Sequence, residues 1–122
     1  MEETLYEQFG EENLRKLVQH FYDLVFEHPH LSPLFKTDKE LIKEKQFLFL
    51  TQFFGGSDVY SQRYGHPRLK ARHLPHPIGK AEVEAWLQCM ALAFSKIDAD
   101  EKLKDLMFQK LVPPAFFMAN KE

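Results

Sequence analysis

Tyr64-Gly65-His66-Pro67-Arg68-Leu69-Lys70-Ala71-Arg72-His73-Leu74-Pro75-His76-Pro77-Ile78 holds three of the chain's six histidines and three of its seven prolines. Arg72-His73 lies at its centre, between Pro67 and Pro75. Proline cannot donate a backbone hydrogen bond and restricts the residue before it, so this stretch has room for little more than one or two helical turns. A short stiff segment that presents His beside Arg can hold a metal ion and a carboxylate. Three readings of its histidines stand side by side: surface or satisfied core residues, one metal ligand at His73, or a cluster of His66, His73 and His76. The cluster matches no zinc spacing, and neither a Cys nor a nearby carboxylate completes it.

Outward from this segment the chain reads as helices. Upstream, Thr37-Asp38-Lys39-Glu40 has the form of a helix start, with Thr37 and Glu40 spaced as a capping box. That helix carries Leu41, Ile42, Phe49 and Phe53 on one side and stops at Gly55-Gly56. Residues 57–66 read as a loop. Before it, Leu14, Leu17, Val18, Phe21, Leu24 and Val25 set the three-and-four spacing of an amphipathic helix over 13–27, ending near His28-Pro29. Downstream, Val83, Trp86, Leu87, Met90, Ala93, Phe94 and Ile97 place a third helix over about 81–96. A fourth starts near Ala99 and carries Leu103, Leu106, Met107 and Leu111. Pro113-Pro114 should break it near Val112. The apolar Ala115-Phe116-Phe117-Met118 should then pack on the core as a short final turn. No alternating strand pattern appears, so the fold class is all-α.

Size and charge narrow the function. The 122 residues suit one domain over 1–122 with a single core, and 44% hydrophobic with 12 Phe is enough to fill it. Sixteen Lys and Arg against 18 Asp and Glu give a formal charge of −2, which argues against a nucleic-acid partner. The acidic Met1-Glu2-Glu3-Thr4 lacks the order of a signal peptide, and no apolar run reaches membrane-spanning length. Cys89 is alone, so no disulfide framework is expected. The expected address is the cytoplasm.

Three polar side chains sit on apolar faces. Tyr22 follows Val18 by four and precedes Val25 by three; Gln46 stands likewise between Ile42 and Phe49, and Trp86 between Val83 and Met90. A buried phenol, carboxamide or indole N–H each needs a partner, at a penalty of about 1–3 kcal/mol if left without one. Each can find a backbone carbonyl or water. Tyr and Trp are common core residues, whereas Gln on an apolar face is unusual. Alternatively all three converge on a small cavity, where a polar ligand is the missing acceptor.

Read together, Phe21-Tyr22, Phe35, Gln46, Leu50-Thr51-Gln52-Phe53-Phe54-Gly55-Gly56, Gly65-His66-Pro67, Leu69, Ala71-Arg72-His73, Trp86-Leu87 and Cys89-Met90 resemble the bacterial truncated haemoglobins of group II over nearly the whole chain. The resemblance implies a two-over-two helical sandwich around one haem b. It makes His73 the proximal iron ligand and Tyr22, Gln46 and Trp86 the distal hydrogen-bonding set. Phe35 would pack on the haem face, with Leu41, Ile42 and Trp86 also lining the cofactor. Arg72, Lys45 and Tyr60 would stand near the propionates. Ile42 takes the distal position where many globins carry His. Two positions depart from the pattern: His76 stands where relatives often have Phe, and Pro113-Pro114 falls in the last helix.

The implied function is reversible, high-affinity binding of O2, and of other diatomic ligands such as NO or CO, by ferrous iron, as carrier, scavenger or sensor. The alternative is a redox enzyme on the same haem, oxidising nitric oxide or turning over peroxide, with an electron donor the sequence does not identify. A haem-free helical interaction module is the third class. The chain would act as a monomer or weak homodimer.

Overall fold

The computed structural model describes residues 3–32, 38–65 and 79–117. Among them are six helices: α1 (Leu5–Phe9), α2 (Glu11–Val25), α3 (Lys39–Phe53), α4 (Val59–Tyr64), α5 (Lys80–Ser95) and α6 (Glu101–Phe117). No strand occurs among the described residues. Helix α2 packs on α3, α5 packs on α6, and α2 meets α5 across the two pairs. The result is a sandwich of two helix pairs, as the sequence implied.

Helix α2 shows why this arrangement forms. Leu14, Leu17, Val18, Phe21, Tyr22 and Val25 are its buried residues, one continuous stripe at helical spacing. Phe21 is completely buried, and its ring meets those of Tyr22 and Trp86. Glu11 and Glu12 stand in the first turn, where negative charge suits the helix dipole.

Several expectations are corrected. Helix α3 is capped by Asp38, whose carboxylate accepts from the backbone N–H groups of Glu40 (3.0 Å) and Leu41 (3.2 Å). Asp is as good a cap as Thr, and here it stands directly before the first helical residue; Thr37 lies outside the described residues. The buried side of α3 is Phe47, Leu48, Leu50 and Thr51, while Leu41 is exposed. Ile42, Phe49 and Phe53 are only partly buried at its edge. The stretch expected as a loop contains α4, and α1 precedes the first expected helix.

Helix α6 does not break near Val112: it runs through Pro113 and Pro114 to Phe117. The two prolines remove the donors that would reach the carbonyls of Gln109 and Lys110. Both residues are exposed, so water can take those carbonyls. The buried stripe Lys104, Met107, Leu111, Ala115 keeps its register past the prolines. Leu106, Phe116 and Phe117 are exposed, against the expectation that they pack inward. They fall off that stripe. Met118 lies outside the described residues.

Gly55-Gly56 stops α3 and also receives α1. The N–H of Tyr6 donates to the Phe54 carbonyl at 2.9 Å. Gly55 has φ +96°, and a Cβ on Gly56 would come within 2.7 Å of Thr51 Cγ2, 2.8 Å of the Tyr6 ring and 2.9 Å of the Thr51 carbonyl oxygen. Gly56→Ala is therefore expected to cost about 1–3 kcal/mol through overpacking. The urea midpoint should fall with the slope unchanged; a midpoint equal to the parent's would refute this account of the turn.

Candidate functional site

Tyr22, Gln46 and Trp86 come from three different helices, α2, α3 and α5. The structure brings the first two together: the Tyr22 hydroxyl donates to Gln46 Oε1 at 3.4 Å. That is a long bond for a hydroxyl donor, hence a weak one. Phe21 links the third. Its ring lies edge-on to Tyr22 at 4.9 Å between centroids and edge-on to Trp86 at 5.1 Å. Such contacts are worth about 0.5–1.5 kcal/mol each beyond area burial and fix ring orientation.

The donor inventory of this cluster is informative. Tyr22 is buried, and burial pushes its phenol well above the usual tyrosine value. It therefore stays a neutral donor at physiological pH. Gln46 and Trp86 are half-buried. Among the hydrogen bonds of the described residues, none uses Gln46 Nε2 or the Trp86 indole N–H. Two uncommitted donors and the Tyr22 hydroxyl thus stand at the junction of the helix pairs. Cys89, on the same helix as Trp86, is buried. Its thiol is pushed up by burial, which leaves it protonated and inert.

A second cluster forms between α3 and α4. The Lys45 ammonium sits over the Tyr64 ring at 4.9 Å, and Tyr64 packs on Tyr60 at 5.2 Å. Tyr60, itself buried, meets Phe49 edge-on at 5.7 Å. Gln52 seats α4 against α3: its Nε2 donates to Ser61 Oγ at 2.8 Å, and its Oε1 accepts from the Ser61 N–H at 3.1 Å. Lys45 and Tyr60, both expected near propionates, therefore share one cluster. Helix α4 ends at Gly65, φ +80°, immediately before the proline-bracketed segment. Sequence reading missed Gln52, Ser61 and Tyr64. The pairing spans nine residues across a turn, and six helical residues carry too little periodicity to announce α4.

His73, Arg72 and Phe35 lie outside the described residues, so the distal set and the Lys45 cluster are the parts of the site with geometry. Among the described residues no group of three or more His, Cys, Asp or Glu could hold a metal ion. A groove of about 260 Å³ between α2 and α3 is lined by Arg15, Gln19, Lys43, Glu44 and Phe47 among others. It contains none of the candidate residues, and its charges pair with one another.

Two helix pairs with a phenol, a carboxamide and an indole gathered between them define a protein of the two-over-two globin class. The chain belongs to the bacterial-like globin family, whose model matches residues 4–120. It is 42% identical over 115 residues to group 2 truncated hemoglobin YjbI of Bacillus subtilis, covering 94% of this chain and 87% of that protein. Among solved structures, the hemoglobin of Chloroflexus aurantiacus superposes with a TM-score of 0.93 at 44% identity, covering 98% of this chain and all of that one. The group II truncated hemoglobin of Bacillus anthracis gives 0.95 at 38% identity, covering 99% of this chain and 94% of that one. The truncated oxygen-avid haemoglobin of Bacillus subtilis gives 0.92 at 41%, covering 97% and 100%. Membership of this family implies a haem and a ligand of the oxygen type. Among the described residues no helix is long and apolar enough to cross a membrane.

Proposed function

We propose that this chain is a single globin domain over 1–122 that carries haem b on His73 and holds O2 with high affinity. The observation that supports this reading most is the Tyr22–Gln46 bond, with Trp86 joined to Tyr22 through the ring of Phe21 and two N–H donors left uncommitted. The described residues fit such a group. Their donors are neutral, so they can stabilise partial negative charge on a bound ligand without an ion's desolvation cost. Haem, when bound, would supply a ferrous iron able to bind and polarise a diatomic ligand. The Trp86 indole and the Gln46 amide would donate to that ligand, while Gln46 Oε1 accepts from the Tyr22 hydroxyl. The rings of Phe21 and Phe26 flank Tyr22 and help keep water from it. Phe35, Leu41 and Ile42 would line the cofactor, and Arg72, Lys45 and Tyr60 would hold its propionates. Solvated ion pairs of that kind add about 0–1 kcal/mol. As the iron ligand, His73 would need its second ring nitrogen to donate to a carbonyl or carboxylate, which would fix its tautomer.

The same polar donors favour a second reading, in which the haem oxidises nitric oxide or turns over peroxide with electrons from a separate donor. Hydrogen bonds at the outer atom of the ligand assist its cleavage as well as its retention. A tight binder unloads poorly, so slow release would turn the balance from delivery towards chemistry.

The absorption spectrum of freshly purified protein tests the proposal. Ferric, ferrous and CO-bound forms should each show a distinct Soret band. No haem spectrum in any of the three would overturn it and leave a helical interaction module.

A further inference from the structure

The last turn of α6 does more than continue a helix past two prolines. Ala115 and Val83, each 3% exposed, form a small apolar cluster apart from the main core, and Trp86 and Leu87 pack against it. Trp86 also packs against the main core, where its ring meets Phe21. The indole is thus seated between Phe21 and the α5–α6 contact at Ala115.

This contact comes directly after the Pro113-Pro114 pair. The carbonyls it frees, on Gln109 and Lys110, belong to solvent-exposed residues. A helix whose solvent-side carbonyls turn out to water curves round the core, and prolines are the usual place for sharper bends. In α6 the turn after the prolines meets α5. The residue it delivers is alanine, small enough to meet Val83 closely.

We propose that Ala115 is a positioning residue for Trp86, so that the end of α6 sets where the distal indole N–H points and how long a ligand is held. The proposal rests on the distal role given to Trp86 above. An isobutyl group at 115 would push on the Val83 and Trp86 side chains, because a packed helix contact has no spare volume.

The test uses the haem-loaded protein. Trp86 is the only tryptophan in the chain, so indole bands in ultraviolet resonance Raman report on it alone. The C–O stretch of the ferrous CO form reports on donors near the ligand. Ala115→Leu should move both, and should speed O2 release about tenfold, within the roughly hundredfold that a misplacement of about 1 Å can cost. In a Trp86→Phe background the same substitution should leave the C–O stretch where Trp86→Phe alone puts it. Leu111→Ala, on the same helix but in the main core, should lower stability and leave both signatures in place. Should Ala115→Leu fail to fold, Ala115→Gly loosens the contact from the other side and should also move them.

Indole and C–O bands unchanged by either Ala115 variant, with the C–O stretch moved by Trp86→Phe, would overturn the inference alone. So would equal shifts from Leu111→Ala, which would indicate general loosening. A C–O stretch unmoved by Trp86→Phe would instead remove the distal role of Trp86, and the inference with it.

Discussion

Replacing His73 with Ala is expected to abolish stable haem retention. A neutral imidazole is the strongest iron ligand the chain can offer at neutral pH, since its one cysteine is buried with its thiol pushed up. Losing only the partner that orients a ligating His costs roughly 10–100-fold in metal affinity, so losing the imidazole should cost more. The remaining hold on haem would be apolar contact from Phe35, Leu41 and Ile42 and the propionate pairs, and Leu41 is itself 46% exposed. The measurement is Soret absorbance per protein after gel filtration. It should fall to near baseline in His73→Ala and stay near the parent value in His66→Ala and His76→Ala. A normal Soret band in His73→Ala would refute the assignment and pass it to His66 or His76. Those two share the segment and its prolines, and spacing alone does not separate the three.

What could be read from the chain divides by physical range. Helix α2 was legible because its stripe repeats over fifteen residues, long enough for periodicity to declare itself. Tyr22, Gln46 and Trp86 were legible because each is a polar group on an apolar face, a conflict visible within one helix. Their convergence stood as one of two readings; the contacts themselves were not legible, because the Tyr22–Gln46 bond and the ring of Phe21 between Tyr22 and Trp86 depend on how three helices cross. Helix α4 hid between Gly55-Gly56 and Gly65, where turn signals outweigh six helical residues. The cap of α3 was misplaced by one residue because Thr37 and Asp38 are both good caps, and helix ends are decided by local geometry. Pro113-Pro114 misled most. The penalty for proline in a helix assumes that the orphaned carbonyls stay unpaired. Here they sit on exposed residues, while Leu111 and Ala115 still gain burial four residues apart.

Oxygen release should quicken when the distal donors are removed, and the two substitutions should differ. A hydrogen bond contributes about 0.5–1.5 kcal/mol net, and each 1.36 kcal/mol is tenfold in rate, so two good donors slow dissociation roughly a hundredfold. Trp86 carries an uncommitted N–H, so Trp86→Phe removes a donor outright and should speed release about tenfold. It keeps an aromatic ring for the edge contact with Phe21. Tyr22 already spends its proton on Gln46 Oε1 at 3.4 Å. To donate to a ligand it must leave that bond, so part of its gain is offset, and Tyr22→Phe should speed release less than Trp86→Phe. Because Tyr22 and Gln46 share a hydrogen bond, Tyr22→Phe and Gln46→Leu should combine non-additively. The phenol is held neutral by burial, so these differences should persist across neutral pH. Stopped-flow dissociation rates of the oxygenated ferrous protein decide the matter: rates within twofold of the parent for both Tyr22→Phe and Trp86→Phe would sink the distal assignment. A larger effect from Tyr22→Phe than from Trp86→Phe would show that the hydroxyl turns to the ligand when one is bound.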